Sequence, residues 1–167
     1  PLRMTTPTQW AGHTQGVGPL RRGMSRIPLA RPFWDEECEN AAVSALSSGR
    51  WVKGPQAKKF GEEFAKWCGA VSAVPCQSGS AALWAAMRLL EIGPGDEVIV
   101  PGMTFIATAT SVSLVGATPI FADIEEDFWC ICPDDVERKI TPKTKAVIGV
   151  HIFGQPFSHR LKDICKQ

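Results

Sequence analysis

Apolar positions recur at helical spacing in two stretches and then change to another pattern. The first stretch, 35–48, opens with Asp35, Glu36 and Glu37, carries Ala42, Val43 and Leu46 three to four residues apart, and meets Gly49. Acids at the start suit the positive end of a helix dipole and the glycine stops it, which predicts a surface helix. After Gly54 and Pro55, the rings of Phe60, Phe64 and Trp67 repeat on one face until Gly69, which predicts a second, amphipathic helix.

From residue 71 onward, apolar runs of strand length alternate with Gly- or Ser-bearing loops and helical segments. Residues 71–75 predict a strand leading to a helix over about 80–91, stopped by Gly93, Pro94 and Gly95. Residues 97–100 predict a strand leading through Pro101 and Gly102 to a helix over about 104–115, stopped by Gly116. A third run, 119–122, ends at Asp123 ahead of a helix opening at Pro133. That helix has Asp134 and Asp135 in its first turn, Arg138 and Lys139 in its last, and Thr141-Pro142 as its stop. A fourth run, 146–150, leads to a helix opened by Pro156, Phe157 and Ser158, with Leu161, Ile164 and Cys165 at core spacing. Strands and helices joined in this alternation by short connections imply an α/β fold, a mostly parallel sheet with helices on both faces.

Composition narrows the function classes. In 167 residues, 18 Lys and Arg face 17 Asp and Glu, so no cationic surplus points to nucleic acid. The longest apolar run, 81–87, is far short of the roughly 18 residues of a membrane span, so no membrane partner is expected. The six cysteines include no C-x-x-C pair and no accompanying histidines, so no metal site is expected. Cys130 and Cys132, two apart, read as small hydrophobes on one face of an extended segment. Reduced thiols and the lack of a secretory pattern lead to a cytoplasmic expectation. Residues 1–25, without apolar period, read as a disordered or non-native leader with Met24 as the expected start. Residues 26–167 read as a truncated domain, because the last helix runs out without a capping glycine.

In an open parallel sheet ligands bind beyond the carboxyl ends of the strands, which selects four loops: 76–80, 101–105, 123–126 and 151–155. The first, Cys76-Gln77-Ser78-Gly79-Ser80-Ala81-Ala82, puts a glycine and two hydroxyls where a helix opens, so its amides either cradle an anion or are capped by Ser78 or Ser80. It has neither the lysine of a P-loop nor a G-x-G-x-x-G pattern, which weakens nucleoside triphosphate and NAD readings. Phe105 in the second loop can stack on a flat ligand or join the core. Thr104 and Thr108 either bond a ligand or cap the helix. Asp123 serves as a functional carboxylate or makes a turn bond. His151, flanking Gly154 with Gln155, either moves protons or bonds across its loop.

Taken in order, these segments resemble the DegT/DnrJ/EryC1/StrS family of pyridoxal-phosphate-dependent sugar aminotransferases. The resemblance runs from about Ile27 to the chain's end. It is carried by Ser48-Gly49-Arg50-Trp51 with Gly54-Pro55, Ser78-Gly79-Ser80-Ala81-Ala82-Leu83, and Ile92-Gly93-Pro94-Gly95-Asp96-Glu97 with Val98-Ile99-Val100-Pro101. Further on it is carried by Thr104-Phe105-Ile106-Ala107-Thr108, Gly116-Ala117-Thr118-Pro119-Ile120-Phe121-Ala122-Asp123 and Val150-His151-Ile152-Phe153-Gly154-Gln155-Pro156. It implies the large domain of the type I aminotransferase fold, incomplete here, and pyridoxal 5'-phosphate as cofactor. Gly79, Ser80 and Ala81 would hold the phosphate, with Ser80 where relatives often carry Thr. Phe105 would stack on the pyridine ring, and Trp51 and Gly54 would lie on the substrate side. The implied partners are a keto-sugar nucleotide, an amino donor such as glutamate, and a second subunit in a homodimer. None of Lys53, Lys58, Lys59, Lys66, Lys139, Lys143, Lys145, Lys162 and Lys166 stands in the Ser-led context of the Schiff-base lysine. That lysine and the pyridine-side carboxylate are therefore expected beyond Gln167, and the 167-residue chain is expected to be inactive by itself. Two other readings stay open: a dehydratase of the same family, and a non-catalytic α/β module for a phosphorylated ligand.

Overall fold

A computed structural model describes residues 32–166, so the expected leader over 1–25 lies outside the described residues. The chain divides into two compact units, Pro1–Gly54 and Pro55–Gln167. In the first, helix α1 (Glu36–Ser47) begins where Asp35 turns extended and accepts the Cys38 N–H on its carboxylate at 2.8 Å. Three acids occupy its first turn, as the charge pattern predicts. After the helix, the Trp51 indole N–H donates to the Leu46 carbonyl at 2.9 Å. A β-carbon on Gly54 would overlap the Arg50 carbonyl oxygen, so this turn requires a glycine.

The second unit opens with α2 (Pro55–Cys68), whose first position takes a proline because no intrahelical partner awaits its N–H. Its rings form the expected ladder, with centroids 5.7 Å apart for Phe60 and Phe64 and 5.9 Å for Phe64 and Trp67. That ladder is exposed; the buried side of α2 carries Gly61 and Ala65. A β-carbon on Gly61 would meet the Ala73 carbonyl at 2.8 Å, so α2 and the segment 71–75 approach backbone to backbone. This segment corrects the strand expected there. It belongs to no sheet, and Val71 and Val74 are exposed, because none of the described strands runs beside it to complete a ladder.

The sheet has three parallel strands in the order β2-β1-β3, with β1 (Glu97–Pro101) between β2 (Thr118–Ala122) and β3 (Thr144–Val147). The Gly93 N–H donates to the Asp96 carboxylate at 3.0 Å, tightening the turn that feeds β1. Val98, Ile99 and Val100 are fully buried, which requires cover on both faces. Alternation along the strand sends Val98 and Val100 to one core, with Met87 of α3 (Gly79–Leu89) and Val112 of α4 (Ala107–Leu114). It sends Ile99 to the other, with Val136 of α5 (Pro133–Lys139) and Leu161 and Ile164 of α6 (Arg160–Ile164). The helices thus cover both faces, as expected.

Two helix starts differ from expectation. α4 begins at Ala107 rather than near Thr104, because the Thr108 N–H bonds the Phe105 carbonyl at 3.0 Å and the first four-residue bond runs from the Thr110 N–H to the Ile106 carbonyl at 3.0 Å. α6 begins at Arg160 rather than at Pro156, after a 3-10 turn over Ile152–Gly154. Phe157 packs instead against Gly149, where a β-carbon would lie 2.6 Å from its ring. Cys165 caps the end of α6 and is exposed, so it does not join the core. Cys130 is buried, whereas Cys132 is half-buried at the start of α5.

Candidate functional site

The loops that follow β1 and β3 meet the amino end of α3 around an open cleft of about 710 Å³. Ser78, Gly79, Ser80 and Leu83 line one part, Thr104, Phe105, Ala107 and Thr108 another, and residues 148–153 the rest. Three of the four loops selected from the sequence therefore converge, at the carboxyl ends of the strands as the topology requires.

At the α3 end, Ser78 is extended and its hydroxyl accepts the Ala81 N–H at 3.2 Å, while its carbonyl accepts the Ala82 N–H at 3.1 Å. Of the two alternatives for this loop, the structure shows the cap: Ser78 caps the helix, and it leaves two other amides open. Among the described residues no protein acceptor takes the N–H of Gly79 or of Ser80. These two donors sit at the positive end of an 11-residue helix. A β-carbon on Gly79 would meet nothing within 4 Å, so there is room in front of them. Ala81 differs from its expected partners in that its amide is already engaged by Ser78.

Phe105 lines the cleft and is 73% exposed, so it does not belong to the core. Thr104 and Thr108 line it too, their hydroxyls bonded to each other. His151 is engaged locally: its Nδ1 accepts the Phe157 N–H at 3.2 Å and its ring stacks on Phe157 at 4.5 Å. The cleft also includes residues that pattern reading did not single out, above all Phe153, exposed and edge-on to Trp129 at 6.0 Å. A signal for it existed, a bulky residue before Gly154 in a loop beyond a strand. No Lys, Asp or Glu lines the cleft among the described residues. Trp51 and Gly54 belong to the first unit.

The fourth loop, 123–126, is engaged elsewhere. The Asp123 carboxylate accepts the Ile124 N–H at 2.8 Å, a turn bond, and the Asp123 N–H donates to the Asp135 carboxylate at 2.6 Å. Asp135 also receives Lys139 at 2.7 Å and Arg138 at 2.9 Å, and Lys139 donates to the Phe121 carbonyl at 2.7 Å. The Lys139 ammonium first, then the Asp123 amide, lowers the Asp135 carboxyl from 3.8 to about 2. Arg160 ties α6 to α5 through Asp134 and Glu137, which raises its already high pKa. Among the described residues no group of three or more His, Cys, Asp or Glu could hold a metal ion, and no helix is long and apolar enough to cross a membrane.

Comparison with known proteins places this geometry. The chain is 48% identical over 111 residues to an Acidithiobacillus ferrooxidans UDP-N-acetyl-3-dehydro-alpha-D-glucosamine 3-aminotransferase, covering 66% of this chain and 30% of that protein. It is 46% identical over 120 residues to a Streptomyces venezuelae dTDP-3-amino-3,4,6-trideoxy-alpha-D-glucose transaminase, covering 72% and 32%. The chain therefore spans about a third of the length of the curated relatives it matches. Among solved structures, a Streptococcus pneumoniae protein in its PLP-form aligns with a TM-score of 0.80 at 36% identity, over 84% of this chain and 36% of that one. The Bacillus subtilis protein ntda, with bound cofactor PMP, aligns at 0.77 and 30% identity, over 87% and 35%. These forms support pyridoxal phosphate as the family's cofactor, and the α/β architecture is that of part of the type I aminotransferase fold. Residues 32–167 match the DegT/DnrJ/EryC1/StrS aminotransferase family, and the chain belongs to it.

Proposed function

We propose that these residues form the amino-terminal part of a pyridoxal-phosphate-dependent aminotransferase acting on a keto-sugar nucleotide, with glutamate as amino donor. It would work as a cytoplasmic homodimer in making sugars for cell-surface polysaccharides or secondary metabolites. The observation that carries this reading is the pair of unpartnered amides at Gly79 and Ser80 opening on the same cleft as the exposed Phe105 ring.

The residues present fit one half of the cofactor's needs. Gly79 and Ser80 would donate main-chain N–H groups to the phosphate, aided by the α3 dipole, and Ser80 adds a hydroxyl. Gly79 leaves the room that a phosphate oxygen needs. Ser78 fixes the first turn by capping Ala81, so the two open donors are held in place before any ligand arrives. Phe105 offers a flat face to the pyridine ring. The cofactor, when bound, supplies an electron sink for moving an amino group. Trp51 and Gly54 are assigned to the substrate side.

The other half is a reactive lysine amine and a carboxylate for the pyridine nitrogen. Since no Lys, Asp or Glu lines the cleft and the relatives are about three times as long, both groups are assigned to residues outside these 167. The isolated chain is accordingly proposed to be inactive. The test is borohydride reduction after mixing the chain with pyridoxal phosphate, read by peptide mass mapping. The expected result is no stoichiometric adduct at any single lysine. One site-specific lysine adduct would contradict the assignment.

A further inference from the structure

A turn lining the cleft and a second turn packed beside it each hold a bulky side chain in the left-handed region, where side chains beyond glycine are uncommon. Phe153 has φ 51° and ψ 22°, and Trp129 has φ 59°. Their rings meet edge to face at 6.0 Å, and the turns are tied by the Cys130 thiol donating to the Gln155 carbonyl at 3.3 Å. Phe153 is 80% exposed although it lines the cleft, and Trp129 is 47% exposed. Hydrophobic burial therefore does not account for either conformation. Neighbouring His151 is spent on Phe157, so the aromatic ring this turn presents to the cleft is that of Phe153.

The charge around Trp129 narrows what these rings can meet. Its turn is closed by the Trp129 N–H to the Glu125 carbonyl and the Glu125 N–H to the Cys130 carbonyl, each 2.8 Å. It carries Glu125, Glu126 and Asp127, none of them ion-paired among the described residues. Such a turn repels phosphate and accepts hydroxyl hydrogens. An aromatic face, negative at its centre, attracts the weakly positive C–H face of a pyranose. On the aminotransferase reading above, on which this rests, we propose that Phe153, held by its edge contact with Trp129, forms the sugar-side wall of the cleft. Its ring stacks on the pyranose ring of the nucleotide-linked substrate, while the acidic turn beside it disfavours the diphosphate there. This makes Phe153 a specificity-determining residue and Trp129 a positioning residue, distinct from the phosphate cradle at Gly79 and Ser80.

The test is saturation-transfer NMR on the full chain with UDP-N-acetylglucosamine as probe, beside a fluorescence titration with pyridoxal phosphate. Phe153→Gly and Trp129→Gly suit the purpose because glycine adopts these dihedral angles freely, and Trp129→Phe keeps a ring. The expected result is transfer to the pyranose protons in the parent chain and an affinity for the probe about two- to ten-fold weaker in both glycine variants. Trp129→Phe should restore the parent affinity, and pyridoxal phosphate affinity should stay unchanged throughout. Absent pyranose transfer, or equal probe affinity in the variants, would overturn the proposal while leaving the cofactor reading intact. Loss of both ligands together in the variants would mark the pair as structural and overturn it too. Failure of the parent chain to bind pyridoxal phosphate would instead remove the cofactor reading, and this proposal with it.

Discussion

At the carboxyl end of one small sheet, two clusters of polar groups meet opposite fates. At the end of β2, the Asp123 amide, the Asp135 carboxylate, the Lys139 ammonium and the Phe121 carbonyl bond one another. Beyond β1 and β3, the amides of Gly79 and Ser80 find no protein acceptor, and Phe105 stays exposed. Gly79 and Ser80 are both exposed, so these amides at the positive end of α3 are open to an anion that can take the place of water. The first cluster holds the scaffold, and the second is the proposed ligand site.

Substitutions that separate stability from ligand affinity sharpen this contrast. The largest effect is expected from Gly79→Asp, which places the chain's own anion before the open amides. Pyridoxal phosphate affinity should fall roughly a hundred-fold, since like charges brought together cost several kcal/mol. The same carboxylate in the first turn of α3 suits its dipole, so chemical denaturation should show stability unchanged or raised by up to about 1 kcal/mol. Phe105→Leu comes next: about ten-fold weaker binding of pyridoxal phosphate by fluorescence titration, with stability within about 0.5 kcal/mol of the parent because the ring is exposed.

The closed cluster should respond in the reverse sense. Ser78→Ala removes the hydroxyl that accepts the Ala81 amide, and a denaturant midpoint should report a loss of about 1 kcal/mol. Asp135→Ala should lower the melting temperature while leaving pyridoxal phosphate affinity intact, because its partners lie away from the cleft. The same carboxylate gives a pH dependence. Its pKa is lower in the fold, about 2 against 3.8, so its stabilising contribution is complete above 3.8 and lost as pH falls through about 2. A melting series over that acid range should show a decline that Asp135→Ala reduces.

Much of this could be read from local pattern. The acids and glycine around α1, the proline opening α2 and the charge order in α5 are signals carried by neighbours in sequence, and each element formed where they point. The burial of Val98, Ile99 and Val100 followed from an uninterrupted apolar run. Where pattern failed, the deciding interaction was distant or competing. Residues 71–75 look like a strand, but a strand needs a neighbouring strand, and Ala73 and Pro75 instead meet Gly61 of α2. The start of α6 moved because Phe157 packs over Gly149, eight residues back. That Gly79, Ser80 and Phe105 line the cleft was legible from loop position. The engagement of Ala81 by Ser78 and the pairing of Phe153 with Trp129 required coordinates.

The most direct measurement is an amide proton–nitrogen NMR titration of the full chain with pyridoxal phosphate, compared with pyridoxal lacking the phosphate. The account predicts that the Gly79 and Ser80 amide signals move together and saturate with the phosphorylated ligand, while pyridoxal leaves them in place. Signals that stay fixed with pyridoxal phosphate, or that move equally with pyridoxal, would contradict it.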